Sequence, residues 1–561
     1  MLRDGRAAAR RRRGVSAIYA SLIIAPPPDG SRWTAALPEA SAWHALFVAF
    51  YALVVVAIAG YGIHRYWLSF LYYRTRRYAP VAPPAPPDDQ LPVVTIQLPL
   101  FNEPAVAQRI LDAACAIDYP LDKLQVQVLD DSTDHTTAII RHRADYWRQR
   151  GLDVEVIHRV DRSGFKAGAL QHGLATAKGE LIAIFDADFV PPVDFLRRAV
   201  PHFQRPEVGV IQGRWEHLNR THSLLTRAQA VFMDGHFAVE QAARCRSGRW
   251  FHFNGTAGVW RRQTIDDAGG WSATTLCEDL ELSIRAQLAG WKFLYLQDVA
   301  CPAELPPFVP AFKQQQHRWF KGTVQVMKLA LPRVLRSNAP LRVKTELTMQ
   351  LMGPLIAPLM VAFSLLYYPA IQVGITRGWP TAVGVLCVLT GIVAGTFFYM
   401  VSQHIVGRGA WYALLMLPVM IAAGMGICLS NARGVVEALL GHTSPFVRTP
   451  KFNQSAGGPT GPAPDDDDTP ALPRPQPSAT RAAPAPAIPW PRILWPSAEV
   501  VAGVYLVACT LLSLQTPAGR AATPLLALFA AGYLWFGLAS LTPVLKTLAR
   551  STPARRVAAT G

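Results

Sequence analysis

The sequence predicts an α/β domain with a mostly parallel sheet, joined to an α-helical transmembrane region. Short apolar runs alternate with amphipathic stretches across residues 93–330, and strands that alternate with helices indicate βαβ units. Long apolar stretches lie on both sides of this part of the chain. Only 17% of the 561 residues are charged, whereas a soluble protein carries about 25%. The composition therefore favours a membrane protein.

The charge balance and the cysteines exclude several other classes of protein. The chain has 55 Lys and Arg against 38 Asp and Glu, a net charge of +17. Basic residues beside apolar stretches are typical of the cytoplasmic face of a membrane protein. The seven cysteines form no CxxC pair, which excludes a zinc ribbon, an iron–sulfur centre and a disulfide framework. Nucleic-acid binding is not expected, because the basic residues gather beside apolar stretches and not on one helix.

The N-terminal part of the chain predicts three segments. Residues 1–43 are basic and predicted to be mostly disordered, since their short apolar run cannot cross a bilayer, which needs about 20 residues. Residues 44–73 are predicted as a transmembrane helix, because 44–66 are almost wholly apolar and arginines follow. Residues 74–92 form a Pro-rich linker.

Four apolar runs in the α/β domain are predicted to be buried strands: 93–98, 125–129, 154–158 and 181–185. Helical patterns, such as 105–116 and 136–150, lie between them. The βαβ connections should be right-handed. Because the strands are expected to be parallel, their carboxyl ends should share one edge of the sheet, where ligands bind.

The C-terminal part predicts helices interrupted by a linker. Residues 331–453 are predicted to form transmembrane or interfacial helices, with a loop at 444–452. Within them, 410–430 is predicted as re-entrant or interfacial, because Arg408 and Arg433 flank it and Pro418 interrupts it. Residues 454–496 form a Pro/Ala/Asp-rich linker that cannot fold. Residues 497–545 are predicted as two transmembrane helices, and 546–561 as a basic tail.

Acidic side chains follow three of the predicted strands. Glu103 comes after the first, Asp130 and Asp131 end the second, and Asp186 and Asp188 follow the fourth. Such a cluster of like charges needs a cation or a ligand with many hydrogen-bond donors. Mg²⁺ and Mn²⁺ prefer oxygen ligands and leave positions open for phosphates. An isolated Asp-x-Asp is more often a turn, but acidic groups at three strand ends favour a metal site.

Three further segments complete the pattern. Arg162 and Lys166 precede a predicted helix, whose N-terminal N–H groups favour anions. Glu278-Asp279 opens an amphipathic helix, where acidic residues are also common as simple N-terminal charges. The segment 315–319 places Gln315, Arg318 and Trp319 on one helical face, which offers an amide, a guanidinium and an aromatic ring. Alone, that face would also suit an interfacial helix.

Taken in order, Asp130-Asp131, Asp186-Ala-Asp188, Glu278-Asp279 and Gln315-x-x-Arg318-Trp319 resemble the motifs of family 2 inverting glycosyltransferases of the cellulose synthase type. The longer strings at 128–134, 166–170, 183–189, 253–258 and 314–319 are closer to the cellulose synthase-like mannan and glucan synthases. The resemblance covers about residues 93–330 and, more loosely, the helices to 452. It implies a Rossmann-like fold of the GT-A type. Cys277 stands where the family usually has Thr or Val.

The resemblance also implies residue roles. Asp279 would be the general base, and Asp188 with Asp186 would coordinate Mg²⁺ or Mn²⁺ on the diphosphate. The nucleotide sugar would be held by Glu103, Asp130, Asp131, Lys166, Asp186, Gln315 and Arg318, and the acceptor by Trp319, Glu278 and Asn254.

The segment 444–451 resembles the gating loop of the same synthases, with Phe446, Thr449 and Lys451 at matching positions and Arg448 where Val is usual. It would then lie over the nucleotide. The alternative is a basic juxtamembrane loop that binds anionic lipid.

The resemblance leaves two activities open. One is a processive synthase that uses UDP-glucose or GDP-mannose to extend a β-linked glucan or mannan and passes it through its own helices. The other is a single transfer to a lipid such as diacylglycerol. A catalytically inactive partner protein is disfavoured because Asp188, Asp279 and Arg318 are present.

We expect a multi-pass protein of the inner (plasma) membrane with a cytoplasmic catalytic domain, membrane lipids around it and accessory envelope proteins as further partners. That orientation leaves the basic N-terminus outside, against the positive-inside rule.

Overall fold

A computed structural model describes residues 42–373, 379–442, 451, 453 and 491–551. Most of the predicted N-terminal segment, most of the gating-like loop, residues 454–490 of the linker and the end of the basic tail lie outside the described residues. Phe446 and Thr449 are among the residues outside. The domain boundaries predicted there stay predictions.

The catalytic-domain candidate contains a seven-stranded sheet in the order β3-β2-β1-β4-β6-β5-β7. Four neighbouring pairs are parallel, and β6 alone runs antiparallel to its neighbours β4 and β5. The strands are β1 Val94–Leu100, β2 Leu124–Asp130, β3 Asp153–His158, β4 Leu181–Ile184, β5 Val208–His217, β6 Gly258–Arg261 and β7 Lys292–Ala303. The predicted α/β domain with a mostly parallel sheet is confirmed. The four predicted strands agree to within two residues, and the structure adds the last three.

Helices cover both faces of this sheet. In chain order, the helices as far as residue 336 are α1 Ala42–Thr75, α2 Pro104–Cys115, α3 Thr136–Arg148, α4 Phe165–Gly173, α5 Phe195–Ala199, α6 Leu224–Asp234, a π-helix Gly235–Gln241, α7 Ala242–Arg246, α8 Arg262–Asp267, α9 Glu278–Leu288 and α10 Val309–Arg336. Alternation along β4 explains the two layers: Leu181 and Ala183 pack into the core under α2 and α3, whereas Ile182 and Ile184 pack into the core under α4 and α9.

The apolar helices assemble around this domain. After α10 come α11 Leu341–Met352, α12 Ile356–Gln372, α13 Trp379–Ile405, α14 Ala410–Leu439, α15 Pro491–Ser513 and α16 Pro517–Ser551. Helix α1 packs against α12 and α13, while α15 pairs with α16. Five described segments are long and apolar enough to cross a membrane: Ala42–Tyr78, Leu341–Gln372, Ala410–Leu439, Ile493–Ser513 and Gly519–Thr547. The chain thus carries candidate membrane helices on both sides of the α/β domain.

Helix α14 differs in one respect from the segment predicted at 410–430. Pro418 does not interrupt it, and the helix continues to Leu439. Met416 shares a buried apolar cluster with Leu225 of α6, and Val435 shares another with Val324 of α10, so both halves of α14 pack against the α/β domain. An interfacial helix would make these contacts, but its length and composition also suit a crossing. Its position in a bilayer therefore stays a prediction.

Three helices begin or end outside the segments that the sequence predicted for them. Helix α1 begins two residues earlier than the predicted span, α15 begins at Pro491 inside the predicted linker, and α16 continues to Ser551 into the predicted tail. Proline explains the early start of α15, because its fixed φ suits the first turn of a helix.

Candidate active site

The predicted acidic groups meet at the carboxyl edge of the sheet, in a cavity of about 680 Å³. Asp131 follows β2, and Asp186 and Asp188 follow β4. Glu103 lies at the N-terminus of α2, directly after β1, and its backbone C=O accepts from the first turn of that helix. All four line the cavity. Because neighbouring strands are parallel, residues distant in sequence reach one site.

The Asp186 and Asp188 carboxylates have unequal surroundings. Lys166 Nζ lies 2.5 Å from Asp186 Oδ1, and Lys451 Nζ is paired with Asp188 Oδ2. Asp188 Oδ1 is buried and has no hydrogen-bond partner among the residues that the structure describes. A buried carboxylate oxygen without a partner suits a hard cation, so Asp188, with Asp186 beside it, fits a divalent metal. Within the described parts of the chain, no three His, Cys, Asp or Glu side chains form a ready metal site. Phosphate oxygens would therefore have to supply further ligands.

The neighbouring carboxylates of Asp130 and Asp131 have different surroundings. Asp131 lines the cavity and forms a two-pronged pair with Arg159, at 2.7 and 2.6 Å. Asp130 is fully buried outside the cavity lining, where its carboxylate accepts from Ser132 N–H and Thr137 Oγ1. Asp131 therefore lines the cavity and Asp130 does not, while the nucleotide contacts expected of both carboxylates stay predictions. Arg159 directly follows β3, so the strand-end argument could have found it.

Lys166 connects the two sides of the cavity. Its ammonium donates to Asp186 and, at 2.8 Å, to the carbonyl of Gly255. Burial acts to lower the pKa of Lys166, but the carboxylates of Asp186, Glu278 and Asp279 outweigh it and raise that pKa. A Cβ at Gly168 would meet Ser163 O at 2.1 Å, so only glycine allows this tight entry into α4. The ammonium is therefore held charged at the place where an anion would bind.

Asp279 lies in the first turn of α9 and faces the same cavity. Burial and the neighbouring Glu278 carboxylate raise the pKa of Asp279 to about 7, although Lys166 acts in the opposite direction. Gly255 has φ of 81°, and a Cβ there would lie 3.0 Å from Asp279 Oδ2. A carboxylate with a pKa near neutrality, in a cavity beside a cation, is suited to accept a proton.

Helix α10 supplies the opposite wall. Gln315, Arg318 and Trp319 all line the cavity, as their spacing predicted. The Trp319 ring lies 6.5 Å from the ring of Trp215, which itself stacks on Phe237 at 4.8 Å. Apolar C–H faces of sugar rings pack well on aromatic surfaces. The sequence reasoning missed Trp215, because a tryptophan within a strand reads as an ordinary core residue.

Asn254 lines the cavity, but its amide is already engaged. Its Oδ1 accepts from Gln241 Nε2 at 2.6 Å. Its Nδ2 lies 3.1 Å from His236 Nε2 and 3.0 Å from His252 Nε2. Both amide hydrogens are therefore used inside the protein. These hydrogen bonds hold the Asn254 side chain in one orientation, and its predicted contact with the acceptor stays a prediction.

The cavity continues from Asp279 towards the apolar helices. Its far end is lined by Tyr61, His64 and Arg65 of α1, Tyr399 of α13, Asn431 of α14 and the turn between α11 and α12. One space thus joins the acidic edge of the sheet to the helical region.

Twelve of the predicted site residues lie around this one cavity: Glu103, Asp131, Lys166, Asp186, Asp188, Asn254, Glu278, Asp279, Gln315, Arg318, Trp319 and Lys451. Among residues that the sequence reasoning missed, Gln350 is notable, because a polar side chain in a predicted apolar span is an indication of function.

Comparison with known proteins finds relatives of this domain. Residues 92–322 match the model described as "Glycosyltransferase like family 2". The chain is 42% identical over 274 residues to glucomannan 4-beta-mannosyltransferase 1 of Oryza sativa subsp. japonica. That alignment covers 47% of this chain and 52% of the rice protein, so the chain spans about half the length of this relative. The resemblance read from the motifs is confirmed for this part of the chain.

Two solved structures show weaker likeness. Mannosyltransferase PcManGT of Pyrobaculum calidifontis, in complex with GDP-Man and Mn²⁺, has a TM-score of 0.47 at 21% identity, covering 70% of this chain and 100% of that one. S. aureus TarS has a TM-score of 0.33 at 14% identity, covering 62% of this chain and 90% of that structure.

Proposed function

We propose that this protein transfers a hexose from a nucleotide sugar to a β-linked glycan, because residues 92–322 match the model described as "Glycosyltransferase like family 2". The observation that carries the proposal is the single cavity that joins Asp188, Asp279 and Trp319 and continues between the apolar helices. The name of the rice relative favours a mannosyl donor and a glucomannan-type product.

The chemistry follows from the positions of the charges. An acceptor hydroxyl beside Asp279 gives its proton to that carboxylate as its oxygen attacks the anomeric carbon. The bond from that carbon to the diphosphate oxygen breaks on the opposite side, which inverts the configuration. The leaving nucleoside diphosphate carries away the electron pair, and Lys166 and Arg318 neutralise the charge that develops on it. A single carboxylate base suffices, unlike the paired carboxylates of glycosidases.

The donor would be held by the charged edge of the sheet. Asp131, fixed by Arg159, would accept hydrogen bonds from the base or ribose, with Glu103 nearby. Asp188 and Asp186 would hold Mg²⁺ or Mn²⁺; the cation, when bound, would screen the negative charge of the diphosphate. Lys451 is paired with Asp188, so binding of the cation would require that ion pair to open.

The length of the product distinguishes the two activities that the sequence leaves open. Apolar residues such as Phe232, Ile356 and Ile427 line the far end of the cavity, so a lipid acceptor could also reach Asp279. The aromatic wall of Trp319 and Trp215 favours a glycan. We therefore propose the processive synthase, placed in the plasma membrane with its catalytic domain cytoplasmic.

Membranes containing the full-length protein should be incubated with a panel of labelled nucleotide sugars, including GDP-mannose and UDP-glucose. We expect a long, water-insoluble product that β-mannanase or β-glucanase degrades. A labelled product that extracts into chloroform would support the lipid acceptor instead. Absence of transfer from every donor tested would refute the proposed activity.

A further inference from the structure

A chain of hydrogen bonds in the acceptor side of the cavity has a fixed direction. Gln241 Nε2 donates to the backbone carbonyl of His252 at 2.9 Å and to Asn254 Oδ1 at 2.6 Å. A backbone carbonyl can only accept, so the orientation of the Gln241 amide is determined. Asn254 must then present its oxygen to Gln241 and its NH₂ group to the two histidines.

The tautomers of both histidines follow from this orientation. Asn254 Nδ2 donates to Nε2 of His236 and of His252, so both Nε2 atoms are acceptors and both rings carry their proton on Nδ1. Burial, with the nearby positive charge of Arg244, lowers the pKa of His252 to about 3 and that of His236 well below its usual value. Both rings are therefore neutral, as the hydrogen bonds require.

The proton on His252 Nδ1 determines how Gln350 is oriented. His252 Nδ1 lies 2.6 Å from Gln350 Nε2. With the proton on Nδ1, both of these nitrogens would be donors, and no hydrogen bond could form between them. Turning the Gln350 amide by half a rotation places its oxygen there as an acceptor. The NH₂ group then takes the place of Gln350 Oε1, a buried atom that has no hydrogen-bond partner among the described residues. Gln350 is one of the residues that line the cavity, so an oxygen of a bound ligand could supply the missing acceptor.

Charged groups hold this chain in place. His236 Nδ1 donates to Glu240 at 3.2 Å, and Glu240 is paired with Arg65 of α1 and with Arg244. Arg244 is also paired, at 3.0 Å, with Glu346, which lies four residues before Gln350 on the same helix. Gln350 is thus fixed both through its amide and through its helix.

We propose that Gln350 donates a hydrogen bond to a hydroxyl or ring oxygen of the acceptor sugar, and that His252 is the positioning residue that orients it. The inference rests on the proposed function, since it requires a glycan in this part of the cavity. A neutral donor beside neutral histidines suits the uncharged hydroxyl groups of a hexose.

The test uses the full-length protein with manno- and gluco-oligosaccharides as acceptors, and two readouts that do not involve the acceptor: donor KM and transfer of the donor sugar to water. For Gln350→Leu we expect the acceptor KM to rise roughly tenfold, the factor that a hydrogen bond of about 1.4 kcal/mol provides. Donor KM and hydrolysis should not change. Gln350→Glu keeps an oxygen for His252 but removes the donor, so the same rise is expected from a nearly isosteric variant.

The positioning role is tested by a double-mutant cycle. His252→Asn should raise the acceptor KM, and combining it with Gln350→Leu should add little, because both remove the same contact. Gln149→Leu, an exposed glutamine on the far side of the domain, is the matched control.

An unchanged acceptor KM in both Gln350 variants, or a parallel loss of donor hydrolysis, would overturn the inference. The affinity for oligosaccharides can also be measured without a nucleotide sugar, so the proposed contact of Gln350 can be tested even if no donor supports transfer. Equal affinity of the wild type and Gln350→Leu would overturn the inference. Loss of transfer from all donors in the wild type would refute the proposed function separately.

Discussion

The two ends of the cavity differ in how they use polar groups. At the sheet edge, the side chains are charged and paired, as in Asp131 with Arg159 and Asp186 with Lys166. Towards the helices, His252, Asn254 and Gln350 are neutral, and the charges of Arg65, Glu240 and Arg244 are held in ion pairs. Charges suit a diphosphate and its counterion, whereas neutral hydrogen bonds and aromatic rings suit a sugar chain that must bind and move on.

This contrast predicts which measurements each end controls. Substitutions at the charged end should change donor binding and the rate of the chemical step. Substitutions at the neutral end should change acceptor affinity alone. Asp279 lies between the two ends, so its loss should have the largest effect.

Asp279→Asn should lower kcat by about 10²–10⁴-fold, because an amide cannot accept the proton of the acceptor hydroxyl. Donor binding should stay nearly intact, since the substitution keeps the shape of the side chain. Initial rates with labelled donor and titration of the nucleoside diphosphate measure the two effects. Unchanged turnover would remove Asp279 from its role.

Chelation of divalent metal should lower transfer by about a hundredfold, as expected when several kcal/mol of charge stabilisation are lost. Added Mn²⁺ or Mg²⁺ should restore the wild type but not Asp188→Ala. Asp266→Ala, at an exposed position on α8, is the matched control and should recover fully. Full activity in the presence of the chelator would contradict the metal site.

The raised pKa of Asp279 predicts the pH dependence of the reaction. Below about pH 7 the carboxyl becomes protonated and cannot act as a base, so kcat/KM should fall about tenfold for each pH unit below about 6. Binding of the nucleotide sugar, followed over the same pH range, should change much less. A flat rate profile between about pH 5 and 8 would conflict with this assignment.

The smallest effects are expected for substitutions of the neighbouring residues Asp130 and Asp131, and they should differ in kind. Asp130→Asn should lower the free energy of unfolding by about 1–3 kcal/mol, because one of its two buried acceptors is lost. Asp131→Asn should instead raise donor KM, about tenfold, by weakening the pair with Arg159. Thermal unfolding in detergent and donor kinetics distinguish the variants. If Asp130→Asn raised donor KM and Asp131→Asn lowered stability instead, the conclusion that Asp131 and not Asp130 faces the cavity would be wrong.

Much of the site could be read from local patterns. Strand ends rich in Asp, the first turn of α9 and the shared face of Gln315, Arg318 and Trp319 are set by periods of two and 3.6 residues, which the sequence displays directly. The same rules extended to Arg159 would have found the partner of Asp131.

Other features depend on contacts between distant segments. Asp130 and Asp131 are adjacent and chemically identical, yet only the twist and register of β2 decide which one faces the cavity and which is buried. The partners of Asn254 come from the π-helix and its own loop, and Gln350 comes from a helix about one hundred residues away. The sequence by itself determined the α/β domain, its strand-end carboxylates and the apolar helices, because these follow from local periodicity. The orientation of each hydrogen bond in the cavity was decided by the tertiary structure, because a donor or acceptor is defined only by the group it meets.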